Sequence, residues 1–404
     1  MPQAPRVTIV TSRLDVGGTE RHLTRILPQL RQRGIEIALY LMERGGALEA
    51  ELVAQGVPIE GPERRRLLHW PRATLQLARF LRRERPDIVH FFLPRPYVYG
   101  SLAAELAGHR RRIMSRRSLT DYQAAYPLLG GLERFLHRRT LGVIGNSQAV
   151  VEQLVAEVAD ARKVALVHSG VDLPAPMTAA ECARVRQSLE ISSDAIVIAV
   201  VANLVAYKGH RDLIEALGRV QHELPKPWYL LVIGRDDGIG TDLKRQASEL
   251  NISANILWLG ERSDAGSLLA ASNVFALPSH QEGFSNALIE AMAASVAPVA
   301  TAVGGNVDAV LDNETGLLVP PHDPAGLAVA ISQLAKDQTL RRRLADAARR
   351  RIRQRFSLAA CVERYEKLYR ALIESTPVPI GEILADDRGD SRNARTAAEV
   401  EHAH

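Results

Sequence analysis

The chain has 404 residues, 46% hydrophobic and 24% charged, with a formal net charge of +5. That balance suits a globular protein with room for two cores, and it excludes a disordered or fibrous chain. Cys182 and Cys361, the only cysteines, stand far apart and outside any CxxC pattern, which argues against a disulfide framework or a structural zinc site. The first residues lack a signal-peptide run, and no apolar stretch reaches the roughly 18 residues of a membrane span. The expected location is therefore the cytoplasm.

Short β-rich runs alternate with helical patterns from the start. Residues 6–12, 35–42, 87–92, 113–115, 142–147 and 163–167 have strand character, and 19–33, 72–85 and 147–157 are amphipathic helices between them. A polar, proline-containing stretch at 173–193 follows as a linker. A second series then runs through 195–203, 228–234, 256–260, 274–277 and 299–301. Strands alternating with helices imply parallel βαβ units. The fold class is thus α/β, with two Rossmann-like doubly wound domains at 1–175 and 190–356. One more helix at 357–374 follows them. Residues 375–404 have little apolar periodicity and are expected to be a disordered tail. Ligands of such sheets bind at the carboxyl ends of the strands, so the cleft between the halves is the expected site.

Charge is unevenly placed. Residues 61–140 hold 17 Arg against 6 acidic residues, including Arg64-Arg65-Arg66, Arg82-Arg83 and Arg110-Arg111-Arg112. Such a surplus points to an anionic partner, either a membrane surface or an anionic substrate; solvated helix faces are the plainer explanation. Trp70 and Leu67-Leu68 lie beside the first cluster, at a place suited to insertion among headgroups.

The densest chemical signal is the run from Glu282 to Ala293. It follows an apolar strand and Pro278-Ser279. Gly283 permits a tight turn, and Ser285 is a good N-cap for the helix after it. A helix start with its dipole binds phosphate without a basic side chain. Glu282 before the turn and Glu290 inside the helix can each accept hydrogen bonds from vicinal hydroxyls. Taken alone, the same residues also describe a capped surface helix with a solvated glutamate.

This segment looks like the E-x7-E motif of family 4 of the glycosyltransferases (GT4), which have the GT-B fold. Other landmarks of that family follow in order over residues 5–375. Gly17-Gly18-Thr19-Glu20 resembles its N-terminal glycine loop, Gly145-Asn146-Ser147 a strand end before a helix, and Gly170-Val171-Asp172 the close of its first domain. Lys208-Gly209, Gly260, Asp264, Gly304-Gly305 and 315–319 complete the series. The last helix resembles the one that crosses back onto the first domain.

The resemblance implies two facing domains and a retaining transfer of sugar from a nucleotide-sugar donor to a glycan or lipid-linked acceptor. The setting would be cell-surface polysaccharide or lipopolysaccharide biosynthesis, at the inner face of the plasma membrane. It implies that Glu290 meets the ribose hydroxyls and Glu282 the hydroxyls of the transferred sugar. Backbone N–H groups of Phe284, Ser285 and Asn286 would approach the diphosphate, Lys208 would neutralise it, and Gly17 and Gly18 would let the first domain approach it. A lysine and a helix start stabilise a departing diphosphate electrostatically. No Asp-x-Asp motif or His/Asp/Glu set with ligand spacing stands in the sequence, so no metal or other cofactor is expected, and no nucleic-acid partner.

The chain departs from the family at two places. Asn203 stands where an arginine usually precedes the K-G pair; it can donate a hydrogen bond to the donor but brings no charge, so the leaving group falls to Lys208, with Arg211 or Arg235 as helpers. Where the family commonly carries a catalytic histidine, this chain has Arg116-Arg117, and Arg116 or its neighbour is the candidate replacement. His90 ends a strand near the same cleft, a place equally suited to a structural histidine. The alternatives are a non-catalytic nucleotide-sugar or glycan-binding relative and a nucleotide-sugar epimerase of the same fold. A dinucleotide-dependent oxidoreductase is disfavoured, because no G-x-G-x-x-G follows the first strand.

Overall fold

The computed structural model describes residues 4–63, 70–119, 123, 126–374 and 379–384. It divides into two compact units: one formed by the chain up to Gly170 and again from Leu358, the other by Val171–Ser357.

In the first unit a parallel sheet has the order β3-β2-β1-β4-β5-β6-β7. Its strands are β1 (Arg6–Thr11), β2 (Glu36–Leu41), β3 (Ile59–Glu60), β4 (Ile88–Phe92), β5 (Arg112–Arg116), β6 (Gly142–Gly145) and β7 (Val164–Leu166). In the second unit the order is β10-β9-β8-β11-β12-β13. Here the strands are β8 (Ile196–Val201), β9 (Trp228–Ile233), β10 (Ile256–Gly260), β11 (Val274–Leu277), β12 (Ala297–Thr301) and β13 (Leu317–Val319). Both orders are doubly wound, reversing direction beside β1 and beside β8. Crevices therefore open between the carboxyl ends of β1 and β4 in one unit, and of β8 and β11 in the other. Central strands such as β4, buried at every residue, are apolar on both faces because helices cover both. Strands β3 and β13, two and three residues long, were too short for the periodicity to mark them.

The helix Leu358–Ile373 returns to the first unit. Val362, Tyr365, Leu368, Tyr369 and Leu372 bury one face in the same core as Leu23, Ile26 and Leu27 of the helix Gly18–Gln32. Each large apolar side chain so buried contributes about 1.5–3 kcal/mol. Two histidines fix the register. His90, fully buried on β4, bonds Tyr369 Oη through Nδ1 at 2.7 Å and Ser115 Oγ through Nε2 at 2.8 Å. Burial pushes its pKa down to about 3, so it is neutral and structural. His22 Nε2 lies 3.3 Å from Tyr365 Oη.

Three boundaries differ from the sequence expectation. The first unit ends at Gly170 and the second begins at Val171, whose side chain joins the second unit's core. The proline-containing stretch is no free linker. It holds the helix Ala179–Ser188, started by a capping box in which Thr178 and Glu181 satisfy each other's backbone N–H groups. Arg186 fastens that helix by donating to the carbonyls of Ala271, Ser193 and Ala195 and to Asn273 Oδ1. The tail is also ordered in part. The turn Ile380–Ile383 packs on the first unit, so closely that a Cβ on Gly142 would lie 2.3 Å from Ile380 Cδ1. Residues 385–404 lie outside the described residues.

Arg116, expected at the site, stands instead in the interior of the first unit. No part of its side chain is exposed. Its guanidinium donates to Glu157 Oε1 at 2.6 Å and Oε2 at 2.7 Å, and to Glu133 Oε1 at 2.8 Å. Burial pushes the Glu157 carboxyl up, but hydrogen bonds from His137 and Arg116 outweigh it and hold the pKa at about 2. With both carboxylates spent on it, this guanidinium is a structural cation. Its removal would strand buried charge, a loss of about 3–5 kcal/mol. Arg116→Ala is thus expected to lower the thermal midpoint sharply, with activity per folded molecule retained. Because the Glu157 pKa is depressed, its contribution is complete above the ordinary 4.5 and is lost as pH falls toward 2. Thermal melts between pH 7 and 3 should show a flatter acid limb in the variant; a full-stability variant with reduced turnover would restore Arg116 to the site.

Candidate functional site

The carboxyl ends of β8 and β11 bring the second unit's signals together. After β8 the chain makes a turn at Ala206–Lys208 and enters the helix His210–Val220 through Gly209. Gly209 has φ +70°, and a Cβ there would lie 1.9 Å from Pro278 O. Only glycine satisfies both limits. The turn is thereby pressed against the loop after β11, where the His280 N–H donates to Tyr207 O at 2.7 Å.

That contact sets Glu282 beside Lys208. Lys208 Nζ donates to Glu282 Oε1 at 2.7 Å, and Ser279 Oγ donates to the same oxygen at 2.8 Å. The Glu282 side chain is 7% exposed and that of Lys208 20%, so the pair is shielded but reachable. The loop after β12 closes the other side. Gly304, at φ +47°, passes so close that a Cβ would stand 1.7 Å from Glu282 O, and the Gly305 N–H donates to Gly283 O at 3.0 Å. Thr301 Oγ1 donates to Ser279 O. Three loops thus hold one carboxylate.

Ser285 caps the helix Asn286–Ala293, its Oγ accepting from the Leu288 N–H at 3.3 Å. Phe284 turns its ring into the core, 5.5 Å from that of Phe356, so only its backbone is placed for a ligand. Glu290 is half-buried on that helix. Asn203 Nδ2 donates to Asp237 Oδ2 at 3.3 Å, and Asp237 also accepts from Arg235 Nε at 2.6 Å. Arg235 is therefore committed to its own loop, and Arg211 is exposed.

In the first unit, Gly17 is the N-cap of the helix Gly18–Gln32 and has an extended backbone. A Cβ there would stand 2.4 Å from Glu20 Oε2, the movable end of that side chain. Burial raises the Glu20 pKa, against its own backbone hydrogen bond and the nearby positive charge of Arg117. Arg117 is the member of the arginine pair that reaches this loop. It donates to Ser169 Oγ at 2.7 Å, its carbonyl accepts from Asn146 Nδ2 at 3.3 Å, and it bonds Tyr365.

The arginine surplus is partly consumed by structure. Arg112 pairs with Glu105 at 2.6 Å, and Arg83 pairs with Glu60 and Glu84. Arg64, Arg65, Arg66, Leu67 and Leu68 lie outside the described residues. The exposed apolar face is elsewhere: Leu128, Leu132 and Phe135 follow one another at helical spacing along Pro127–His137, exposed by 90%, 45% and 46%.

One cluster has no sequence spacing to announce it. Asp212, in the first turn of the helix His210–Val220, and His280 and His322, from two separate loops, bring one ligand atom each to within 4.8 Å of one another. No described helix is long and apolar enough to cross a membrane.

Comparison with known proteins covers both halves. Residues 16–174 match the family model described as Glycosyltransferase Family 4, and residues 183–351 that of Glycosyl transferases group 1. The lipopolysaccharide core biosynthesis glycosyltransferase LpsE of Rhizobium meliloti is 28% identical over 361 residues, covering 87% of this chain and 95% of its own. The N-acetyl-alpha-D-glucosaminyl L-malate synthase of Bacillus anthracis is 26% identical over 297 residues, 73% of this chain and 77% of the relative. Among solved structures, Anabaena HepE in complex with UDP-glucose superposes with a TM-score of 0.80 at 22% identity, over 89% of this chain and 97% of that one. That likeness is one of fold. With doubly wound parallel sheets in both units and family matches across both, the chain belongs to the GT4-type glycosyltransferases and has the GT-B fold.

Proposed function

We propose that this glycosyltransferase takes its sugar from a nucleotide-sugar donor and transfers it, with retention, to a glycan or lipid-linked acceptor of a cell-surface polysaccharide or lipopolysaccharide. The observation that carries the reading is the shielded Lys208–Glu282 pair beside the helix capped by Ser285. LpsE, named for lipopolysaccharide core biosynthesis, and HepE, crystallised with UDP-glucose, support it.

An ammonium has three donors. Lys208 spends one on Glu282, leaving the others for a diphosphate, while Glu282 keeps lone pairs for sugar hydroxyls. As the sugar–phosphate bond breaks, negative charge grows on the diphosphate. Lys208 and the helix start at Asn286 stabilise it without a divalent ion on the phosphates. Loss of one such preorganised contact costs about 3 kcal/mol of the barrier.

Lys208→Ala is therefore expected to lower kcat by roughly 100- to 1,000-fold, more than it raises the donor KM. Chelator-treated wild type should keep its turnover with UDP-, GDP- or ADP-sugars, and neither Mg2+ nor Mn2+ should raise it. Turnover abolished by chelation and restored by either ion would overturn this account of the leaving group; a change in KM alone would reduce Lys208 to a ground-state binder.

The lipid-linked acceptor is reached, in this proposal, from an anionic bilayer. The face of Leu128, Leu132 and Phe135 is flanked by exposed Arg134, Arg138 and Arg139, a pairing of apolar and basic groups suited to the headgroup boundary. Each basic residue near such a surface contributes about 1 kcal/mol, so several hold the protein reversibly. The chain should float with anionic but not neutral vesicles, less so at higher salt, and Leu128→Asp with Leu132→Asp should abolish flotation while the fold persists. Equally negligible binding to both vesicle types, or self-association through this face instead, would remove the membrane from the proposal.

A further inference from the structure

Outside the pair Lys208–Glu282, the second unit carries a cluster that neither the family resemblance nor the comparisons account for. Asp212 lies in the first turn of the helix His210–Val220, His280 in the loop after β11, and His322 in the loop after β13. His280 Nε2 stands 2.8 Å from Asp212 Oδ2. The His280 and His322 rings are 3.7 Å apart at their centroids, tilted by 39°.

Each backbone is held in place. The Asp212 N–H donates to Gly209 O at 2.9 Å, and the His280 N–H to Tyr207 O at 2.7 Å. His322 follows Pro320 and Pro321, and precedes Asp323, which caps the next helix by accepting the Gly326 N–H at 2.8 Å. It adopts φ +59°, in the left-handed region that favours glycine, so the chain holds an imidazole here at a conformational cost. Two imidazoles with one carboxylate make a ligand set suited to zinc or its neighbours, and the imidazoles suit Mg2+ poorly. Tetrahedral bonds of about 2.0–2.1 Å place ligand atoms about 3.3 Å apart. The three atoms span at most 4.8 Å, so turning the exposed His322 ring inward closes the set.

We propose that Asp212, His280 and His322 form a site for a divalent transition-metal ion of the zinc type, with water in the fourth position. The ion takes the place of the hydrogen that bridges His280 Nε2 and Asp212 Oδ2, and the neutral imidazole then carries its one N–H on Nδ1. It ties the start of the helix His210–Val220 to two loops at the carboxyl edge of the second sheet. One of them carries Glu282 two residues beyond His280, so metal binding stiffens the loop that presents this carboxylate.

The test uses the full, untagged chain stripped by chelator and titrated with Zn2+ alone by calorimetry, beside thermal melts. His322→Gly is the informative variant, because glycine suits that backbone and the metal-free fold should be as stable as wild type or more so. Wild type is expected to bind one equivalent and to gain thermal stability as Zn2+ rises. His322→Gly should lose affinity by more than the roughly 10- to 100-fold that removal of an outer-shell partner costs, and lose the thermal gain. No stoichiometric Zn2+ on wild type, or equal affinity in His322→Gly, would overturn the site.

Discussion

Glu282 is a carboxylate withdrawn from water, and that condition governs the second unit's functional edge. A shielded carboxylate needs a cation and hydrogen-bond donors, or the fold pays for its desolvation. Lys208 and Ser279 supply them on one oxygen. The glycines around it follow from the same need. Gly209 lets the lysine turn press against Pro278, and Gly304 lets a third loop pass over the Glu282 carbonyl, each at a distance no side chain tolerates. The K-G and G-G pairs in the sequence are thus the steric conditions for placing one charged pair. In the proposed function, ligand chemistry enters through what the pair leaves unused: donors on the lysine and lone pairs on the carboxylate.

The first unit solves a different problem. Its last helix arrives from the far end of the chain and must be held on the sheet it joins. His22 and His90 meet Tyr365 and Tyr369 there, and burial keeps His90 neutral. Arg117, also bonded to Tyr365, extends this network toward Glu20 beneath the glycine loop. The loop expected to approach a phosphate is therefore mechanically linked to the returning helix.

Much of this was legible in the residues. Short continuous apolar runs marked most strands, because central parallel strands are apolar on both faces. Ser285 and the two glutamates were recognisable from capping and spacing. The contact between Lys208 and Glu282 was not, since 74 positions separate them and only the close approach at Gly209 joins their loops. Arg116 and Arg117 show the limit most clearly: one is drawn inward by two buried carboxylates and the other reaches the glycine loop, yet side by side they look alike. Asp212, His280 and His322 come from a helix start and two loops, and no linear spacing encodes them. Two misreadings had local remedies. Thr178 and Glu181 form a capping box visible as T-x-x-E, and Ile380, Ile383 and Leu384 are an apolar group inside the supposed tail. Prolines and charge nearby outweighed both.

We propose a division of labour between two carboxylates, Glu290 for the ribose and Glu282 for the transferred sugar. Calorimetric titration of Glu282→Gln and Glu290→Gln, each with the nucleoside diphosphate and with the intact nucleotide sugar, tests it most directly. Glu290→Gln should weaken both ligands alike, by about 1.5–3 kcal/mol for each charged hydrogen bond lost. Glu282→Gln removes the anion that occupies Lys208, so affinity for the diphosphate should hold or rise while affinity for the intact donor and turnover fall. A Glu282→Gln variant that loses the diphosphate as severely as Glu290→Gln would contradict the assignment.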